Sequence, residues 1–406
     1  MGLRVQAPPS SALNRSAIVA FAITPAHQNK SPSRPSMNKP LFPRKLALAC
    51  AGLLSLALSL HAAEGPVAGP PAAASATSSA LASLVPLAWT TTGPLVLPKA
   101  DERHPIVSVK DPSVVFHDGR WHIFATIASS IGWRMGYLNF TSWDQAAEAK
   151  LVHLEDNPHF GGDYNCAPQV FYFRPHKKWY LIFQSQQPRF STTDNIADPM
   201  SWSEPQDFYV GTPKSVVQGW LDYWIICDDT HAYMFFPDDN GRFYRSRTRI
   251  EDFPRGFDEP VIVMQEADRA DLFEGSCVYR IKGTNQYLCL VECADKNWNR
   301  YYRAFTADRL DGEWKPLPGA DSAASPFAGN PNVSAEPGAT PWANGISHGE
   351  LLREGSDETM TVDPKNLQLL YQGIPPGASA PDYLLLPYRL ALLKPAPAAL
   401  PSAPAP

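Results

Sequence analysis

Five stretches of this chain share one grammar: DPSVVFHDGRWHIFA from Asp111, APQVFYFRPHKKWYLIFQ from Ala167, DYWIICDDTHAYMFFPDD from Asp222, EGSCVYRIKGTNQYLCLVE from Glu274 and SHGELLREGSDETMTV from Ser347. Each opens on a small or polar residue, runs into an apolar strand, turns at Gly, Asp, His or Lys, and returns as a second, often aromatic-rich strand. Further strand-like pieces follow in most units, namely GYLNFTSW, RFSTTD, GRFYRSRT, YYRAFTAD and NLQLLYQG, and helical periodicity is almost absent. Units of about four strands, recurring every 50 to 60 residues or so, predict an all-β fold, a five-bladed β-propeller forming a single domain. In such a ring the innermost strands line a central channel, so residues that open those strands converge although they lie far apart in sequence.

The repeats also delimit the folded body. Residues 86–394 carry them, and 44% apolar against 18% charged residues leaves ample material for a core. Upstream, the stretch from Met37 has a basic start (Lys39, Arg44, Lys45), an apolar run from Leu46 to Leu60 and small residues at Ala62 and Ala63. That pattern reads as a secretory signal peptide over 37–63, after a non-periodic extension, 1–36, ahead of the expected start. The Pro/Ala/Ser-rich stretches 64–85 and 395–406 read as a linker and a tail. A secreted chain, extracellular or periplasmic, monomeric and free of the membrane once the signal is cleaved, is the expectation. A net charge of −5 argues against a nucleic-acid partner. Five cysteines follow the signal, an odd and scattered set without zinc spacing; Cys277 and Cys289 flank the KGTN turn and are the one pair placed to face each other across a hairpin.

Asp111, Asp222 and Glu274 hold the opening position in three units, and His348 lies beside it in a fourth. One aspartate before a proline is an ordinary turn cap. Three carboxylates converging in a partly enclosed place repel and displace one another's pKa values, and glycoside hydrolysis is the chemistry that uses this, one carboxylic acid protonating the leaving oxygen while a carboxylate activates water or attacks the sugar. No GxSxG elbow, P-loop, HExxH or dinucleotide fingerprint competes with that reading. The acidic pairs Asp228–Asp229 and Asp238–Asp239 read as turns. Trp220 and Tyr164, next to candidate pocket segments, are expected to touch substrate. The stretch 316–346, rich in Pro, Gly, Ala and Asn, is read either as a cleft rim or as a surface insertion.

WTTTGPLVLPK, VKDPSVVFHDGRWHIFA, APQVFYF, DYWIICDD, LFEGSCVY, ISHGELLR, LLYQG and PYRLALL, in that order, resemble glycoside hydrolase family 62, the secreted α-L-arabinofuranosidases, over the whole of 86–394. The resemblance implies an inverting enzyme that removes single arabinofuranosyl side chains from arabinoxylan or arabinan, with Asp111 as base, Glu274 as acid and Asp222 tuning the acid. It implies sugar contacts from Lys110, Gln169, His348 and Tyr371. No cofactor for the chemistry is implied, but a structural calcium near the channel axis is, with His348 as ligand. Family 43-type furanosidases or xylosidases and a non-catalytic carbohydrate-binding propeller are the alternative readings. Where the family usually reads Tyr-Arg-Ala-Ala-Pro-Gln, this chain has DYNCAPQ, so Asn165 and Cys166 replace an arginine and an alanine, which bears on specificity.

Overall fold

The computed structural model describes residues 88–396 except 218 and 337. The extension, signal peptide and linker expected over 1–85 lie outside the described residues, as does the tail beyond 396. Five small sheets make up the fold, and the only helices among the described residues are single 3-10 turns. Blade I is Ser108–His117, Arg120–Ser129, Gly132–Phe140 and Val152–His153; blade II is Cys166–Phe173, Lys178–Gln184, Pro188–Thr193 and Gln206–Asp207; blade III is Trp224–Cys227, His231–Pro237, Arg242–Arg249 and Val261–Gln265. Within each, neighbours pair antiparallel, the first three strands through short turns and the fourth after a longer connection. The first turn shows why: Asp118 and Gly119, both at positive φ, give the tight reversal that His-Asp-Gly permits.

Blades IV and V depart from the simple repeat. Blade IV runs Glu274–Ile281, Tyr287–Ala294, Arg300–Ala307 and Lys315–Pro316, and Thr361–Val362 adds in parallel to its innermost strand. The TMTV segment expected as the second strand of the fifth unit therefore belongs to the sheet before it. Blade V pairs Ser347–Leu351 with Leu369–Gly373, then Arg389–Pro395, then Trp89–Thr91, and Val333–Ala335 adds in parallel at its edge. The first and last described strands thus share one sheet and close the ring. Two expectations change accordingly: the final strand reaches Pro395, one residue past the expected limit, and the 316–346 stretch supplies a closing strand. Pro395, opposite Trp89 at the strand's end, can sit there because a terminal position tolerates a missing donor.

Alternating side chains of facing blades form the core, with Trp89, Trp202, Phe171 and Phe235 almost wholly buried. All five described cysteines are free. Cys277 pairs with Leu290 and Cys289 with Val278, so the expected facing pair is out of register and the side chains fall on opposite faces. Asp238 is more than a turn residue: its buried carboxylate accepts from Arg242 Nε at 2.6 Å.

An ion pair ties the channel floor together. Arg353 Nε lies 2.6 Å from Glu350 Oε1, with both side chains at most 1% exposed. Glu350 also accepts from Ser113 Oγ and the Val114 amide, and Arg353 donates to the Val114 and Val170 carbonyls, so blades I, II and V meet here. Removing one member strands the other charge without water, which costs about 3–5 kcal/mol in such pairs. Arg353→Met is expected to lower the free energy of unfolding in a urea titration by that much, and adding Glu350→Gln to recover part of it; a single variant as stable as the wild type contradicts the ring-tying role.

Candidate active site

The innermost strands of four blades share a backbone device. Asp111, Ala167, Asp222 and Gly275 all have φ between +47° and +58°, and in blades I, II and IV the strand pairing slips at that point. A left-handed residue at a bulge bends the strand and re-aims the side chains beside it toward the channel mouth. Such backbone costs roughly 1–3 kcal/mol at a residue with a Cβ, strain of the sort that active sites retain. In blade IV the position is glycine, because a Cβ on Gly275 would stand 2.7 Å from Glu292 Oε2. Glu274 therefore comes one residue before the left-handed position that Asp111 and Asp222 occupy.

These bulges bring Lys110, Asp111, Asp222, Glu274 and His348 around one cavity of about 140 Å³. Pockets that enclose drug-sized ligands run to roughly 300–1,000 Å³, so this one has room for a single small ring and not for a chain.

Charge is divided unevenly inside it. Burial pushes the Asp111 carboxyl up, but Lys110 Nζ at 3.5 Å and His348 Nδ1 at 3.4 Å outweigh that and hold its pKa at about 2. The Asp111 amide is fixed by Gln372 Oε1 at 2.5 Å. Glu274 goes the other way: burial and the neighbouring Glu292 carboxylate raise it to about 8 against the pull of Arg300, whose Nη2 is 3.3 Å from Oε1. Its side chain keeps 21% of its surface open to the cavity, so water offsets part of that burial while leaving the direction unchanged. Asp222 is raised by burial, partly countered by His348 at 3.7 Å, and its Oδ2 accepts from the Gly275 amide at 2.8 Å, which ties it to the backbone carrying Glu274. Burial disfavours the His348 imidazolium, yet Asp222 and Asp111 together bring its pKa to about 9. At neutral pH one carboxyl is thus ionised and another protonated across the same small space, the division that acid–base glycoside cleavage requires.

Of the other expected residues, Lys110 and Tyr164 line the cavity. Lys110 Nζ donates to Tyr383 Oη at 3.1 Å and sits 4.8 Å from that ring's centroid. Tyr164 Oη accepts from Gln184 Nε2 at 2.5 Å and from the Cys166 thiol at 3.2 Å, and Trp133 packs edge-on against the Tyr164 ring. Gln169, Tyr371 and Trp220 are not brought to the cavity. Gln169 is buried two residues past the bulge, exchanging hydrogen bonds with the Ile225 backbone at 2.7 and 2.8 Å and so clamping blade II to blade III. Tyr371 is fully buried and bonded to Thr91 Oγ1 at 2.7 Å, against a separate cavity. Trp220 packs on Tyr209, Tyr223 and Phe236, and it is the adjacent Leu221 that lines the pocket. Of the two departures, Cys166 faces the cavity and Asn165 is buried behind it, as the alternation of a strand dictates.

The residues around His348 suit an axial cation in one respect. Nδ1 faces two carboxylates, which leaves Nε2 as the ligating nitrogen and reproduces the carboxylate–imidazole pairing common behind metal-bound histidines. The one cluster of three metal-competent groups among the described residues is elsewhere, at Asp101, His104 and His153 beside the outer edge of blade I. There the two imidazoles stack in parallel with centroids 3.6 Å apart, which turns their in-plane lone pairs side by side and not toward a common ion.

A closed propeller with an ionised and a protonated carboxyl facing one sugar-sized cavity defines a glycoside hydrolase of the propeller class. Comparison with known proteins narrows the class: residues 88–394 match the model of glycosyl hydrolase family 62, and the chain belongs to that family. It is 46% identical over 314 residues to alpha-L-arabinofuranosidase C of Cellvibrio japonicus, covering 76% of this chain but 47% of that protein, so it spans about half that relative's length. The catalytic domain of a Coprinopsis cinerea family 62 α-L-arabinofuranosidase superposes with a TM-score of 0.73 at 43% identity, over 76% of this chain and 97% of that one. A family 62 hydrolase crystallised with xylotriose gives 0.72 at 44% identity, over 76% and 97%.

Proposed function

We propose that the protein is a secreted, monomeric α-L-arabinofuranosidase that removes single arabinofuranosyl side chains from arabinoxylan, and from arabinan where its branches fit, with inversion at the anomeric carbon. The observation that carries this reading is the opposed protonation of Asp111 and Glu274 across a cavity sized for one sugar. Glu274 gives its proton to the glycosidic oxygen as that bond breaks; Asp111 takes a proton from the water that bonds to the anomeric carbon from the opposite face. Lys110 and His348 keep Asp111 ionised, and Asp222 helps hold the proton on Glu274. Similarity to an arabinofuranosidase and to a hydrolase that binds xylotriose supports the substrate class. Secretion rests on the signal-like sequence over 37–63. A calcium ion held by His348 Nε2 would displace the imidazolium proton and supply in its place the positive charge beside Asp111.

The test is a product assay. Arabinoxylan is expected to yield arabinose and no xylose, with proton NMR showing the β-anomer first from the α-linked substrate. Xylose as product favours a family 43-type activity; binding without release favours a non-catalytic module; α-arabinose as the first product contradicts inversion.

A further inference from the structure

Of the eleven tryptophans, ten are buried or half-buried, and Trp298 alone leaves more than half of itself, 55%, exposed. It sits on the turn between the second and third strands of blade IV with φ +62°, a backbone region that bulky side chains avoid. The turn is braced to keep it there. Asp295 Oδ1 accepts from the Asn297 and Asn299 amides at 2.7 and 2.9 Å, its Oδ2 accepts from Asn299 Nδ2 at 2.9 Å, and its carbonyl accepts from the Trp298 amide at 2.8 Å. Asn344 Nδ2, from the segment leading into blade V, donates to Asn299 Oδ1 at 2.7 Å. Beneath the indole lie the Phe273 ring, edge-on at 5.8 Å, and the guanidinium groups of Arg269 and Arg300 at 5.6 and 5.8 Å from the ring centroid. An aromatic held rigid and left open contributes little to a core, but it presents a flat apolar face with little side-chain freedom left to lose on binding.

Its position says what that face meets. Arg300 connects the two groups directly, 5.8 Å from the Trp298 ring and 3.3 Å from Glu274 Oε1, and Phe273 is Glu274's chain neighbour. An acid that protonates the glycosidic oxygen must lie within hydrogen-bond reach of it, so the sugar that departs with that oxygen is on Glu274's side of the cavity. The cavity itself holds only the ring being cleaved. The rest of the polymer has to lie across the mouth, and on the acid's side Trp298 presents an exposed apolar face joined to Glu274 through Arg300. We propose that Trp298 is a stacking platform for a pyranose ring of the polysaccharide chain that carries the scissile arabinose, on the leaving-group side of Glu274.

The inference rests on the arabinofuranosidase reading, and its test separates the two. kcat/KM is measured for the wild type, Trp298→Ala and Trp298→Tyr on arabinoxylan and on 4-nitrophenyl α-L-arabinofuranoside, which carries the arabinose without the chain. Trp298→Ala is expected to lower the arabinoxylan-to-nitrophenyl ratio about tenfold, mainly through KM, and Trp298→Tyr to restore most of it. An unchanged ratio overturns the proposal, whether both activities hold or fall together. Calorimetric titration with unbranched xylohexaose is the second arm, with an expected loss of about tenfold in affinity for Trp298→Ala. Equal affinities overturn the platform. No arabinose release by the wild type, with that difference in affinity intact, removes the enzymatic reading and leaves the platform standing.

Discussion

Glu274→Gln is expected to lower kcat on arabinoxylan by about 10²–10⁴-fold, the range general acids supply, because the alkoxide leaving group of a xylose ring is a poor one without a proton. The same variant should lose much less on 4-nitrophenyl α-L-arabinofuranoside, whose phenolate departs unaided, so comparison of the two substrates separates a lost proton from a distorted pocket. Stability is expected to move the other way. Glu274 has a folded pKa of about 8 against 4.5 for an unperturbed glutamate. Between those values the folded protein holds a proton that the unfolded chain has released, so the wild type loses stability as pH rises through this window. Glutamine has no such dependence. At pH 7 the variant should melt above the wild type, and at pH 4, where both states hold the proton, the difference should vanish. Full activity on arabinoxylan, or a variant that melts lower at pH 7, rules out Glu274 as a buried protonated acid.

That the three carboxylates could be picked out before any coordinates has a structural cause. Asp111 and Asp222 both sit at a left-handed backbone position, Asp111 at a bulge and Asp222 just ahead of its strand, and such a position writes itself into sequence as a short polar residue before a strand. The hairpins were legible for the same local reasons, since alternation and turns such as Asp118-Gly119 depend on neighbours in the chain. Ring closure was not: Trp89–Thr91 finds its partner in Arg389–Pro395, and Thr361–Val362 lies parallel to blade IV, neither of which leaves a mark on local periodicity.

The site's supporting residues divide along the same line. Glu292 and Arg300, which push and pull the proton on Glu274, come from the middle of one strand and the start of the next, and nothing in YLCLVEC or RYYRAFTA separates them from surface charges. Gln169 follows a bulge like those carrying the carboxylates, yet two residues beyond it the pleat has turned away from the cavity and toward blade III, where its amide satisfies the Ile225 backbone. Tyr383, Trp133 and Gln184 reach the pocket from three different segments. Recognising them needs the pairing of blades, which is a property of the closed ring and not of any one window of sequence. Cys166 was visible only as a departure, and its place on the cavity wall, with its thiol on Tyr164, makes it the member of the Asn165–Cys166 pair that the bound sugar would meet.

Asp222→Asn separates tuning from architecture at this site. The asparagine oxygen can still accept from the Gly275 amide, so the backbone beside Glu274 keeps its tie. What disappears is a negative charge that raises both Glu274 and His348, and for His348 it is the largest of the attractions opposing burial. With the charge gone, Glu274 should release its proton below about 8, and the alkaline limb of kcat/KM should move to lower pH, because the acid is active only while protonated. His348 should likewise become neutral below about 9, which weakens the support of the Asp111 carboxylate as pH rises. Both changes act on the alkaline side, so the expected profile is narrower from above, with kcat at its optimum down by about 10²-fold. Had Asp222 served only to pin the backbone, the asparagine would keep that tie and leave both the optimum rate and the limb near 8 unchanged, and a full profile of kcat/KM against pH from 4 to 10 distinguishes the two outcomes.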